Sequence, residues 1–292
     1  MAEAQTLTAA NYKSEVKPDW CPSCGDYAVL AALQRACALL QIAPKDIVAV
    51  SGIGCSSNLP GFFGGYGIHS LHGRALPVAT GLKLANHDLE VIMTGGDGDG
   101  YGIGLGHFIH AMRRNLDVTY MVMNNQIYGL TTGQTSPTST KGEKTKSTPL
   151  GNLETPINPL HLALVSGATF VARAFSGDVE GMSEIMKQAL QHKGFALVDC
   201  LSPCVTYNKH NTYAWFKERT YKLAEKGHDA SNFEEAFKKA SDWEEKIGLG
   251  VFYKVSKPTY EDDEVALKDG PLLKQKIGIS EETGRKFMEE LM

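Results

Sequence analysis

Residues 90–126 read EVIMTGGDGDGYGIGLGHFIHAMRRNLDVTYMVMNNQ, and this stretch decides the fold. Glu90 to Thr94 is a short apolar run that reads as a buried strand. The glycine-rich GGDGDGYGIGLG follows and leads into a helix ending near Asn115. Val118 to Met123 is a second apolar strand, closed by Asn124-Asn125-Gln126. Strand, helix and strand in this order predict a parallel sheet with crossover helices.

The same rhythm extends in both directions. Upstream, a helix is expected from Tyr27 to Leu40, a strand over 46–51 ending in SGIGCSS, and a helix over 75–87. Downstream, the expected elements are a helix over 159–166, a strand over 169–174, a helix over 178–192 and a strand over 195–200. Ser231 and Glu234 have capping-box spacing, which predicts an amphipathic helix over 232–246. Residues 131–158 are polar, carry no periodicity and exceed an ordinary connection, so a functional or interface loop is expected there. From Lys257 the chain is charged and reads as a tail or partner-binding arm.

Composition narrows the function. Among 292 residues, Lys plus Arg number 29 and Asp plus Glu 33, giving a net charge of −4. This is no footprint of a nucleic-acid binder. No apolar run reaches membrane-spanning length, and the N-terminus lacks the apolar core of a secretory signal, so a cytoplasmic protein is expected. The six cysteines then point to metal or catalysis, not to disulfides. Cys37 sits in a helical stretch and Cys200 ends an apolar run, and both read as small core residues.

Cys21 and Cys24 form C-x₂-C in WCPSCG. Redox, zinc and iron–sulfur chemistry all use such a pair. Here it follows an irregular arm instead of a strand, which favours a metal. Cys55 and Cys204, each just past a predicted strand end, would complete four thiolates. Four soft ligands suit an iron–sulfur cube. Zinc stays open, although structural zinc usually takes two short knuckles and only one exists.

Gly95 to Gly100 contains neither the dinucleotide-binding spacing nor a P-loop. It is a glycine turn around carboxylates at a strand end. Asp97 can supply one oxygen to a hard cation such as Mg²⁺, which takes few protein ligands and otherwise phosphate oxygens. Asn125 lies 125 − 97 = 28 positions on, about one strand–helix–strand unit. Adjacent parallel strands would bring both to one edge, with the Ile127 carbonyl as a further ligand. Ligands of open α/β sheets bind along that edge, so the thiols and the cation site are expected to be neighbours.

GDG at 96–98, then 25 residues, then NN at 124–125, resembles the thiamine diphosphate motif. With WCPSCGDY, GIGCSSNLPGFF, LHGRALPVATGLKLAN, VMNNQIYGLTTGQTSPT and LSPCVTYN, the chain resembles the beta subunit of 2-oxoacid:ferredoxin oxidoreductases over roughly residues 17–210. The resemblance implies a doubly wound parallel sheet of the thiamine-diphosphate-binding type. It divides the chain into an N-terminal cysteine-bearing arm (1–26), a cofactor-binding domain (27–210) and a C-terminal helical extension and tail (211–292). It implies thiamine diphosphate with Mg²⁺ on Asp97, Asn125 and the Ile127 carbonyl, and a [4Fe–4S] cluster on Cys21, Cys24, Cys55 and Cys204. Ser56, Ser57, Gly96, Gly98, Asp99, Gly129 and Leu130 would line the cofactor, and His72 and Arg74 would act in catalysis.

The implied activity is coenzyme A-dependent, reversible oxidative decarboxylation of a 2-oxoacid, with electrons passed to ferredoxin. GLTTGQ at 129–134 is similar to the 2-oxoglutarate and broad-specificity branches, so 2-oxoglutarate is the expected substrate and pyruvate or broad 2-oxoacid specificity the alternative. Arg74 or Asn58 could meet the second carboxylate. No glutamate in the matched segments fits the one that thiamine enzymes place on the aminopyrimidine. An alpha subunit, in an alpha-beta or alpha2beta2 assembly, is expected to provide it, with the 131–158 loop and the tail as surfaces facing that partner. A different class remains, a non-catalytic iron–sulfur or zinc module that keeps the fold.

Overall fold

A computed structural model describes residues 6–276 and 278–292. Residues 1–5 of the expected N-terminal arm lie outside the described residues. The strands, in chain order, are β1 (Ile47–Ser51), β2 (Tyr66–His69), β3 (Glu90–Gly96), β4 (Thr119–Asn124), β5 (Ile127–Tyr128), β6 (Gln134–Thr135), β7 (Phe170–Phe175), β8 (Ala196–Leu201), β9 (Thr220–Lys222) and β10 (Ile247–Lys254). Eight form one sheet in the order β2-β1-β3-β4-β8-β7-β10-β9, and β5 and β6 pair separately. The first six strands of that order run parallel.

β1, β4, β7 and β8 are buried at every position, as strands covered on both faces must be. The main helices are α1 (Gly25–Leu40), α2 (Leu59–Phe62), α3 (Ala75–Ala85), α4 (Leu105–Arg114), α5 (Pro159–Val165), α6 (Val179–Leu190), α7 (Tyr213–Arg219) and α8 (Phe233–Ala240). α1 and α6 pack on one face, through Val29, Leu33, Met182 and Met186. α3, α4, α5 and α8 cover the other, through Ala79, Phe108, Leu160 and Ala236. The parallel sheet with crossover helices expected from residues 90–126 is observed over six strands, and the doubly wound arrangement that the resemblance implies is present.

Several elements differ from expectation, among them β9, a strand in the part expected to be a helical extension. β2 has no counterpart among the expected strands; it is an edge strand of four exposed residues, too short for the alternation of Tyr66 and Ile68 with Gly67 and His69 to stand out. The helix expected over 232–246 stops at Ala240, and its N-cap is Asn232, whose side chain accepts the Glu235 N–H. Residues 247–254, within the part expected to be a helical extension, instead form β10 and pair antiparallel with β7. The two glycines of IGLGVFYK and a register shift between Val251 and Tyr253 mask the strand in the sequence. Among the described residues no helix is long and apolar enough to cross a membrane.

Candidate cofactor and cluster site

The carboxyl ends of β1, β3, β4 and β8 meet along one edge, and the expected site residues follow them. Asp97 comes just after β3 and is 1% exposed. Its Oδ2 accepts from Ser136 Oγ and from Thr138 Oγ1, the latter at 2.5 Å. Burial pushes the Asp97 carboxyl up to about 6, against the pull of these two hydroxyls. Neither hydroxyl is among the residues expected at the site. They lie in TSPT at 135–138, within the loop expected to face a partner, and the only signal that marks them is the cluster of hydroxyls after a glycine turn.

Asn125 follows β4, and its Oδ1 accepts the Ile127 N–H at 3.0 Å. An amide oxygen has a second lone pair, so this bond leaves it able to bind a cation. The Asn125 carbonyl is held by Asn208 Nδ2 at 3.0 Å. Ile127 opens β5 and is buried, opposite Thr135 of β6. Gln126 between them has φ of 58°, a left-handed turn that directs the chain from β4 into β5.

Ser56 and Ser57 are buried, and neither hydroxyl has a hydrogen-bond partner among the described residues. Ser56 Oγ lies 3.3 Å from where a Cβ on Gly96 would stand. Buried hydroxyls without partners are costly unless a ligand completes them. A diphosphate on the glycine turn would do so, and with Asp97 and Asn125 the donor set fits a hard cation carrying phosphate oxygens.

Asp99 serves differently. Its Oδ1 accepts from Ile53 N at 2.9 Å, Gly73 N at 2.7 Å and His72 Nδ1 at 2.7 Å. A Cβ on Gly52 would collide with the Asp99 carboxylate, so only glycine admits it there. Asp99 thus ties the loops after β1 and β2 to the turn after β3. His72 is half-exposed, with its second ring nitrogen outside this bond. Arg74 Nη1 donates only to backbone carbonyls, of Gly73 at 3.2 Å and Ile103 at 3.5 Å. Gly98 lies against the Tyr128 ring, whose hydroxyl donates to the Gly98 carbonyl at 3.2 Å.

The thiols gather beside this edge. The arm returns to the body through Tyr12, whose hydroxyl donates to the carbonyls of Cys37 and Ile42 and whose carbonyl accepts from Gly64 N. Trp20 then donates from Nε1 to the Cys55 carbonyl at 2.7 Å. Gly25, the first residue of α1, sits so close to Ser202 that a Cβ would be 2.5 Å from Ser202 Oγ. That approach brings Cys24, the N-cap of α1, to the end of β8 and hence towards Cys204. Cys21 is exposed, and Cys24, Cys55 and Cys204 are half-buried.

Cys24 feels Cys204 and Cys55, and Cys55 feels Cys204 and Cys21. Burial, with the Asp26 carboxyl second, pushes the Cys24 thiol well up and Cys55 to about 11. Thiols this reluctant to ionise become ligands only against the positive charge of a metal centre. Among the described residues no three His, Cys, Asp or Glu side chains are gathered tightly enough for one metal ion. A cube takes each thiolate on a different iron atom and accepts a wider set. Cys37 and Cys200 are fully buried in the core.

One residue joins the two halves. A Cβ on Gly129 would stand 3.4 Å from Cys204 Sγ, 3.8 Å from Cys55 Sγ and 3.8 Å from Asn125 Nδ2. Leu130, beside it, is exposed.

Comparison with known proteins identifies the family of the chain. Residues 52–200 match the family described as thiamine pyrophosphate enzyme, C-terminal TPP binding domain. Residues 204–269 match the family of C-terminal regions of the pyruvate ferredoxin oxidoreductase beta subunit. The chain is 51% identical over 264 residues to 2-oxoacid:ferredoxin oxidoreductase 1, subunit beta, of Aeropyrum pernix, covering 87% of this chain and 83% of the relative. It is 48% identical over 214 residues to 2-oxoglutarate oxidoreductase subunit KorB of Mycobacterium tuberculosis, covering 73% of this chain and 57% of that one. Among solved structures, a chain of 2-oxoglutarate:ferredoxin oxidoreductase from Magnetococcus marinus, with 2-oxoglutarate, coenzyme A and succinyl-CoA bound, superposes with a TM-score of 0.91 at 40% identity. The match spans 98% of this chain and 97% of that one.

Proposed function

Because the chain belongs to the beta subunits of the thiamine-diphosphate-dependent 2-oxoacid:ferredoxin oxidoreductases, we propose that, with an alpha subunit, it converts 2-oxoglutarate and coenzyme A to succinyl-CoA and CO₂. A [4Fe–4S] cluster held by this chain would supply a one-electron relay, so that the two electrons could pass singly to two oxidised ferredoxins. The chemistry that thiamine diphosphate supplies when bound is the electron sink for losing CO₂ from a 2-oxo acid.

This chain's residues bind and orient. Asp97, Asn125 and the Ile127 carbonyl hold Mg²⁺, which neutralises the diphosphate. The unpartnered hydroxyls of Ser56 and Ser57 would donate to the cofactor's phosphate oxygens. Cys21, Cys24, Cys55 and Cys204 hold the cluster. Asp99 holds His72 by its Nδ1, so that Nε2 is the nitrogen left outside that bond. Leu130 shapes the substrate wall, and the Arg74 guanidinium, bonded only to carbonyls, is available to a substrate carboxylate. The observation that carries the reading is Gly129, which faces two cluster thiols and the Asn125 amide at once. An electron acceptor and its donor need that proximity.

The relatives named for 2-oxoglutarate favour that substrate over pyruvate. The test is dye reduction by anaerobically purified protein. Co-expressed with its alpha subunit, the protein should reduce a viologen with 2-oxoglutarate plus coenzyme A and far less with pyruvate. Equal or faster pyruvate turnover overturns the substrate. Reduction by the isolated chain overturns the need for a partner. Iron lost in Cys204→Ser and kept in Cys200→Ser is expected, and the reverse overturns the ligand set.

A further inference from the structure

Behind Asp97 lies a buried ion pair that the mechanism does not use. Arg173 on β7 and Asp199 on β8 face each other in register and are 1% and 0% exposed. Arg173 Nε donates to Asp199 Oδ2 at 2.9 Å. Asp199 Oδ1 accepts from Asn124 Nδ2 at 3.0 Å and from the Tyr101 hydroxyl at 3.2 Å. Asn124 Oδ1 in turn lies 3.0 Å from Thr138 Oγ1, the hydroxyl bound to Asp97. The Arg173 guanidinium lies 5.0 Å from the Trp243 ring centroid and 5.8 Å from that of Phe252, and its Nη1 is buried without a hydrogen-bond partner among the described residues.

Two buried charges are costly to desolvate, and an apolar pair of similar volume packs at least as well. Stability alone therefore gives no reason for the pair. Its connections do. One carboxylate on β8 grips Tyr101, in the turn that Asp97 opens, and Asn124, the residue before Asn125. Both segments that bear side-chain cation ligands are thereby tied to a single point in the centre of the sheet.

We propose that Arg173 and Asp199 are positioning residues for the cation site. Acting through Asn124 and Thr138, they fix the separation and orientation of Asp97 and Asn125, so that both meet one cation without rearrangement. This rests on the assignment of Mg²⁺ to Asp97 and Asn125. Partners standing behind metal ligands typically alter metal affinity 10- to 100-fold when replaced.

The experiment uses the holoenzyme with its alpha subunit, stripped of cofactor, and titrates Mg²⁺ at fixed thiamine diphosphate while cofactor binding is followed by circular dichroism. Asn124→Ala cuts the connection and keeps the ion pair. The double variant Arg173→Met/Asp199→Leu replaces the pair by apolar side chains and leaves no charge unpaired. Each should raise the Mg²⁺ midpoint about tenfold, with full binding restored by excess Mg²⁺ and iron content unchanged. Phe252→Leu, a packing change on the same arginine, should lower the melting temperature without moving the Mg²⁺ midpoint. Unshifted midpoints in Asn124→Ala and the double variant overturn the proposal, as does an equal shift in Phe252→Leu. If the wild type binds the cofactor independently of Mg²⁺, the cation assignment itself fails. A Mg²⁺-dependent wild type with unshifted variants sinks only the positioning role.

Discussion

The two sides of the glycine turn after β3 carry buried carboxylates two residues apart in opposite surroundings. Asp97 meets the hydroxyls of Ser136 and Thr138 and stands on the edge shared with Asn125. Asp99 meets two backbone N–H groups and an imidazole, all of them protein groups fixed in place. Hydroxyls can turn to other acceptors when a cation arrives; backbone N–H groups cannot. One carboxylate is thus held by hydroxyls that can turn to a ligand, while the other holds three loops together through Oδ1, its Oδ2 buried without a partner among the described residues. Identical residue type and near-identical burial therefore predict different consequences when each is removed.

The largest effect is expected from Asp97→Ala. With one of few protein oxygens on Mg²⁺ gone, the diphosphate charge is poorly compensated and cofactor binding should be lost. The thiols depend on the arm and on α1, not on Asp97, so iron should stay stoichiometric. Gel filtration followed by thiamine diphosphate and iron assays checks both halves. Retained cofactor would erase the distinction between the two carboxylates.

Asp99→Ala should act first on stability. Ile53 N and Gly73 N would lose their buried acceptor, at about 3 kcal/mol together. That corresponds to a melting temperature lower by roughly 5–10 °C. Because the loop carrying Cys55 starts at Ile53, iron content should fall in parallel with stability, and cofactor binding should weaken without vanishing. A variant that melts like the wild type but has lost cofactor would move Asp99 to the ligand side of the comparison.

Much of this edge was legible in the residues. The all-buried runs IVAVS, TYMVMN and ALVDCL announce strands covered on both faces, and the spacing from Asp97 to Asn125 announces one crossover. The family matches bear out the cofactor domain that GDG and NN suggested. What escaped has physical causes. β2 is an exposed edge of only four residues, too short for its pattern to stand out. β10 hides behind two glycines. Ser136 and Thr138 reach Asp97 across about forty positions of chain, which no local period encodes. Asp99 looks like Asp97 in the motif, and only the positions of Gly52 and His72 in space separate them.

The smallest effect, and the finest test of the comparison, belongs to Gly129→Ala. Gly129 has no left-handed φ, and the added methyl would meet Cys204, Cys55 and Asn125 at 3.4–3.8 Å, ordinary contact distances. The chain should therefore fold with a stability change within about 1 kcal/mol. Asp97, Asn125 and the four thiols keep their own supports, so iron and thiamine diphosphate should both remain stoichiometric. The methyl lies where the cation edge faces the thiols, so its influence should fall on communication between them. Dye reduction in the complete enzyme should slow by less than tenfold, with both cofactors in place. Unchanged turnover would mean that Gly129 borders the two halves without lying between them. Loss of iron would mean that the methyl stands in the cluster's own space, and that the thiol side of the site, not the gap, begins at Gly129.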